Sequence, residues 1–217
     1  MRFSWDYCLT ILPLLLKGLL VTIEASIAGF GLAVLLGLVL AIARRSQVKA
    51  LSAAVRWSSE FIRDTPLLVQ LFFLFYVLPK WGIMLSPLLT GVLGLGIHYS
   101  TYTSEVYRAG IDAVRSGQWE ATVALNLSRR DTWLRIILPQ AVPPMFPALG
   151  NYLIGMFKES VVLSAITVGE LLRTARILGQ DSYRYFEAFT MVGLLFLAIS
   201  CPAALLVRRL EARYATR

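Results

Sequence analysis

The sequence predicts an all-α polytopic membrane protein with five spanning helices, and three observations predict it. Of 217 residues 57% are hydrophobic and only 16% charged, whereas soluble domains lie nearer half apolar and a quarter charged. Several apolar runs approach the roughly 20 residues that cross about 30 Å of hydrocarbon. Lysine and arginine gather in alternate loops. With a mean hydropathy of +0.67, the apolar surface exceeds what one core of this size buries, so the surplus is expected to face lipid. An ordinary cytosolic enzyme is excluded on that ground.

The first span is expected over about residues 25–43, where no charge occurs. Its small residues Ala25, Gly29, Ala33, Gly37 and Ala41 recur every fourth position and form a flat stripe that lets another helix approach closely. Upstream, Ile11 to Ile23 carries Lys17 and ends at Glu24, which suggests an interfacial helix on the outer side leading into the span. No small-residue cleavage site follows this first apolar stretch, so it is expected to be retained. The second span, about 61–79, has its apolar run from Pro66 to Pro79 broken only by Gln70, and needs Glu60 to Thr65 to supply further turns. The third, about 88–107, carries His98, Thr101, Tyr102 and Glu105 at i, i+3, i+4 and i+7, a polar stripe that belongs against protein or water. The fourth covers about 148–168 and the fifth about 188–207. Cys8 and Cys201 form neither a metal-ligand spacing nor a disulfide framework.

Orientation follows from the tendency of basic loops to stay in the cytoplasm. Arg44, Arg45, Lys49, Arg56 and Arg63 follow the first span, Arg108, Arg115, Arg129, Arg130 and Arg135 follow the third, and Arg208, Arg209, Arg213 and Arg217 close the chain, fourteen of the 21 cations. The other face holds Arg2, Lys17, Lys80, Arg173, Arg176 and Arg184, and Lys158 lies inside a span. This places a multi-pass chain in the cell (inner) membrane with the N-terminus outside and the C-terminus in the cytoplasm. The net charge of +8 is then a topology signal, and nucleic acid is excluded as a partner.

The longest polar segment, residues 108–139, is expected to be a structured cytoplasmic loop. Gly117-Gln118-Trp119-Glu120-Ala121-Thr122-Val123-Ala124-Leu125 reads as a short helix, with Asn126 at the position that tolerates a left-handed residue. After Leu127, Ser128 and Asp131 form the start of a capping box for a second helix, expected to stop at Pro139. Trp119, Val123 and Leu127 suit either a groove on a partner or the protein's own cytoplasmic surface.

Glu120-Ala121-Thr122, Asn126 and Ile136-Ile137-Leu138-Pro139 resemble the EAA loop of ABC importer permeases. Glu60-Phe61-Ile62-Arg63-Asp64-Thr65-Pro66 resembles the Arg-Gly-Thr-Pro segment of the polar amino acid branch. Glu105 to Ile111 and Lys158-Glu159-Ser160 resemble two further segments, so the likeness covers most of residues 15–210. Departures are Thr122 for Ala, Asn126 for Gly and Asp64 for Gly. The resemblance implies the five-span core of the histidine and glutamine permease type. It also implies a second permease subunit, homo- or heterodimeric, two cytoplasmic ATPase subunits that bind ATP and Mg, and an external solute-binding protein. Gly117, Gln118, Trp119, Glu120, Ala121, Asn126, Leu127 and Ser128 would form the ATPase-coupling loop. Ala124-Leu125-Asn126-Leu127, His98-Tyr99 and Phe157-Lys158-Glu159 are most similar to ectoine and hydroxyectoine permeases within that branch, against an ordinary amino acid substrate.

This chain carries no nucleotide motif. Gly150 to Gly155 has P-loop glycine spacing, but Met156-Phe157 stands where Lys-Ser/Thr is required. One histidine and no paired carboxylates leave hydrolytic or metal chemistry without residues. The substrate-path candidates are His98, Thr101, Tyr102, Lys158 and Glu159. Lys158 and Glu159 inside a span mark either a solute pathway or a structural ion pair, since adjacent helical residues point about 100° apart; Glu105, near the cytoplasmic end, is assigned to packing. A secondary transporter, which runs without an ATPase, and a purely structural membrane subunit, which lacks a polar lumen, are the alternatives to a translocating ABC subunit.

Overall fold

A computed structural model describes residues 3–214, which contain helices and no strand. The first helix, α1 (Trp5–Arg44), is continuous over 40 residues, about 60 Å at 1.5 Å per residue. The expected break at Glu24 between an interfacial helix and a span does not occur. Pro13 is tolerated in its third turn, and Ser4 caps its start by accepting from the Tyr7 amide. Ala25, Gly29, Ala33, Gly37 and Ala41 are all buried, as are Ser26 and Thr22 above them.

The partner of that stripe is α4 (Pro87–Asp112), whose glycines Gly91, Gly94 and Gly96 are likewise buried. The two backbones approach so closely that Thr103 Oγ1 donates to the Ala33 carbonyl at 2.8 Å and Tyr107 Oη to the Val34 carbonyl at 3.2 Å. Small residues lose little side-chain entropy on packing, so close approach plus these bonds provides the helix attraction that lipid does not.

The second span departs from expectation. Helix α2 (Lys49–Asp64) ends at Thr65, which is extended at φ −97°, ψ 130°, the conformation a residue before proline adopts. The next helix, α3 (Leu67–Trp81), leaves at 101° to α2, so Glu60 to Thr65 cannot lengthen a span over 61–79. Of α2 only Ser59 is buried; Arg63 turns inward to Glu105 while Trp57 and Phe61 are exposed.

Two wide turns have one cause. In α3 a π segment, Phe73–Val77, ends with the Leu78 amide bonded to the Phe73 carbonyl, directly before Pro79. In α6 (residues 129–141) the π segment Thr132–Ile137 ends with the Leu138 amide bonded to Trp133, directly before Pro139. Proline donates nothing and crowds the carbonyl four residues back, and a π turn opens the ladder there. The second loop helix therefore continues through Pro139 to Ala141 instead of stopping at it.

Helix α5 (Ser116–Ala124) precedes α6. Helix α7 (Met145–Glu159) turns 3-10 over Ser160–Ile166, so the expected span over 148–168 changes geometry directly after Glu159. Helices α8 (Leu171–Ser182) and α9 (Tyr185–Tyr214) complete the chain. By length and apolarity α1 and α9 qualify alone as membrane spans, and α2 with α3 as one bent pair. Packing forms three apolar clusters: the N-terminal half of α1 with α8 and α9, the middle of α1 with α3 and α4, and residues 106–149 around Ile137.

Candidate functional site

A cavity of about 500 Å³ lies between α4 and α7, lined by His98, Tyr99, Tyr102, Asn151, Tyr152, Gly155 and Glu159. Ring centroids lie 5.4 Å apart for His98 and Tyr102, 5.9 Å for Tyr99 and Tyr102, and 5.5 Å for Tyr102 and Tyr152. Tyr99 Oη donates to Glu159 Oε2 at 2.9 Å, which aims the carboxylate into the aromatic group.

Three of the five expected path residues meet here: His98, Tyr102 and Glu159. Thr101 does not. It is fully buried, and its Oγ1 donates to the His98 carbonyl at 2.7 Å in its own helix, as hydroxyls in apolar helices commonly do. Lys158 is exposed, does not line the cavity, and neither it nor Glu159 belongs to a salt bridge among the described residues. Tyr99, Asn151, Tyr152 and Gln70 were not among the residues expected from sequence. The signal for two of them was present: Asn151, Tyr152, Gly155 and Glu159 stand at i, i+1, i+4 and i+8, one broad face of α7.

Toward the end that bears residues 108–139, Glu105 is held by three arginines from three helices. Arg44 of α1 and Arg108 of α4 each lie 2.5 Å from it, and Arg63 of α2 lies 3.3 Å away. Arg45 adds a 2.7 Å pair with Asp112. The expected packing role of Glu105 is thus an ionic junction of three helix ends, and it gathers basic residues of two separate loops at one end of the molecule.

The projecting segment keeps much of its expected chemistry. Asn126 adopts φ 47°, and the Leu127 amide returns to the Thr122 carbonyl at 3.0 Å, the closing bond of a left-handed helix end. Ser128 accepts from the Asp131 amide at 3.1 Å, and its Oγ meets Asp131 Oδ2 at 2.7 Å. Thr122 is buried and bonds back to the Trp119 carbonyl. Gly117, Gln118, Glu120, Ala121, Leu127 and Ser128 are exposed. Trp119 is the correction: it turns inward, edge to face with Trp133 at 5.4 Å, against the cluster around Ile137. Of the apolar residues expected at this surface Val123 is offered outward, 80% exposed, and Leu125, 71% exposed, joins it. Gly150 to Gly155 lie within α7, not in a loop whose amides could cradle phosphate.

Comparison with known proteins gives a consistent answer. A probable amino-acid ABC transporter permease protein, y4tG of Sinorhizobium fredii, is 46% identical over 95% of this chain and 92% of its own length. The L-cystine transport system permease protein TcyB of Bacillus subtilis is 35% identical over 94% of this chain and 89% of its own. The crystal structure of an amino acid ABC transporter with histidines contains a chain that superposes with a TM-score of 0.92 at 33% identity, covering 98% of this chain and all of that one. The model of the family described as the binding-protein-dependent transport system inner membrane component matches residues 33–216. An aromatic cavity with one carboxylate between helices, a projecting helix–turn–helix and this likeness over nearly the whole chain have one reading: the protein belongs to the family of inner-membrane components of binding-protein-dependent transport systems.

Proposed function

We propose that this permease moves a small polar amino acid through the space bounded by α4 and α7, driven by ATP hydrolysed on partner chains. The chain is the permease subunit of an ABC importer and not itself a catalyst; two cytoplasmic ATPase subunits would carry the ATP and Mg, and an external binding protein would deliver the solute. A second permease copy, identical or related, would complete the pathway. Five spans run from an external N-terminus to a cytoplasmic C-terminus. The meeting of Arg44, Arg63 and Arg108 at one end supports that polarity. The amino acid assignment is supported by the relatives' names, and none of those cited is an ectoine permease.

The observation that carries the coupling role is the outward projection of Glu120, Val123 and Leu125 from a short helix closed at Asn126. An exposed apolar pair beside a carboxylate suits insertion in a cleft, and a rigid loop transmits closure of that cleft to α4 and α7 as a body movement. The test places single cysteines at positions 118 and 123. Both should resist an impermeant thiol reagent applied outside intact cells, and position 123 should cross-link to the ATPase in open membranes. Labelling of position 118 from outside would overturn the topology; a cross-link-free, fully active complex would overturn the docking.

A further inference from the structure

The cavity between α4 and α7 has a charge preference written into its hydrogen bonds. Gln70 Nε2 donates to the Ile62 carbonyl at 2.6 Å and to the Thr65 carbonyl at 3.0 Å. Only the amide nitrogen can make both bonds, so the amide is fixed and its Oε1 is the atom that faces His98 Nδ1, at 3.2 Å. Oε1 cannot donate, hence Nδ1 carries the proton, and in the neutral ring Nε2 is left as an acceptor. Nε2 has no protein partner among the described residues, yet it is not one of the fully enclosed unpartnered atoms. It therefore keeps some accessible surface, and His98 is one of the residues that line the cavity.

The other lining groups have the same character. One oxygen of Glu159 takes the Tyr99 hydroxyl, and the second has no protein partner among the described residues. Tyr99, Tyr102 and Tyr152 contribute the electron-rich faces of three rings, and among the described residues no lysine or arginine lines the space. Arg44, Arg63 and Arg108 gather on Glu105, outside the lining. Acceptors plus ring faces around a carboxylate attract a cation and repel an anion.

We infer that this cavity receives the cationic side chain of the solute, an ammonium or guanidinium, so that the permease favours amino acids with a positively charged side chain. The inference rests on the amino acid permease reading above. An α-ammonium is a poor occupant, because the carbon that bears it also bears a carboxylate, which would enter beside Glu159 with no cation to meet it. A side-chain cation stands several bonds away from the α-carboxylate. It can enter while the carboxylate stays outside the cavity mouth.

The test uses the permease–ATPase complex in lipid nanodiscs without the external binding protein, whose own selectivity would mask that of the membrane site. Equilibrium retention is measured for L-arginine, for L-citrulline, which has arginine's shape without its charge, and for L-glutamate. Arginine should be held roughly tenfold or more tighter than citrulline, the weight of a charge-assisted hydrogen bond, and glutamate should not be retained. Glu159→Gln, with assembly checked by gel filtration, should bring arginine down to the citrulline level, and Tyr102→Phe, which keeps the ring face, should weaken it less than Tyr102→Leu. Equal retention of arginine and citrulline, or retention of none of the three, would overturn the inference, and neither result depends on a variant folding. ATP-driven uptake of neutral amino acids alone would leave the importer reading standing and sink only this one.

Discussion

Replacing Gly37 by alanine tests the close approach of α1 and α4, because it adds one methyl group where the structure has no room. A Cβ built at Gly37 overlaps Thr103 Oγ1 and stands 2.9 Å from the Ser100 carbonyl oxygen. The hydroxyl could rotate, but the carbonyl belongs to the α4 backbone, so the helices must separate. Overpacking of this kind costs about 1–3 kcal/mol. Displacing Thr103 also removes its bond to the Ala33 carbonyl, worth about 0.6 kcal/mol between membrane helices. Alanine regains about 1 kcal/mol of helix propensity over glycine. Gly31 supplies the control, since a Cβ there meets nothing within 4 Å and Gly31→Ala gains the same propensity without a clash. The propensity gain cancels between the two variants, which should differ by about 1.5–3.5 kcal/mol. Unfolding of the purified permease in mixed micelles with rising SDS, followed by tryptophan fluorescence, measures that difference. Equal midpoints for the two variants would show that the stripe is not a packing face.

Other substitutions read other parts of the chain. Val123→Asp and Leu125→Asp should abolish co-purification of the ATPase while leaving the permease within about 0.5 kcal/mol of its own stability. Trp119→Ala should cost the isolated permease about 2 kcal/mol, because its half-buried ring braces Trp133; the opposite pattern in a pull-down and melt would return Trp119 to the docking surface. Thr167 sits at φ 68°, a left-handed conformation that a β-branched side chain resists, so Thr167→Gly should raise the unfolding free energy by about 0.5–1 kcal/mol and a fall would refute strain there. Glu170, at the start of α8, is lifted to about 7 by burial, against the opposing pull of the Leu172 and Arg173 amides and of Arg176 and Arg173. With its folded value above the ordinary carboxylate range, it contributes stability that is full below about pH 4.5 and lost as pH rises through about 7. The melting temperature should fall across that window, and Glu170→Gln should flatten the slope; an unchanged slope would contradict the assignment.

Where a sequence signal was local it was legible. The four-residue recurrence of small side chains in α1, the left-handed Asn126 and the Ser128–Asp131 cap all depend on neighbours within one or two turns, and each has its expected geometry. Signals that required a distant partner were not. Lys158 and Glu159 are adjacent, of opposite charge and both exposed, yet what separates them is α4: Tyr99 bonds Glu159 into the cavity lining, and Lys158 stays outside it. Thr101 shared a face with His98 and Tyr102 in a helical projection, but its hydroxyl bonds to its own backbone. Trp119 lay on the same short helix as Val123, and only Trp133 from the next helix decides which of them faces outward. Pro139 and Pro79 read as helix ends because proline in an α-helix costs a hydrogen bond and a clash; the π turns that relieve both leave no composition signature. The break at Thr65-Pro66, by contrast, has a local sequence signal in its pre-proline residue, although the span expected over 61–79 runs through it.

Uptake by reconstituted vesicles reads ATP-driven import itself. The permease is incorporated with its ATPase, ATP is enclosed on the ATPase side, binding protein and radiolabelled amino acid are supplied on the other, and accumulation is followed with wild type and with Glu120→Lys. Accumulation should require both ATP and the ATPase, and should be lost in Glu120→Lys although the spanning helices still insert. Accumulation driven by an ion gradient with the ATPase left out, or full uptake by Glu120→Lys, would contradict this expectation.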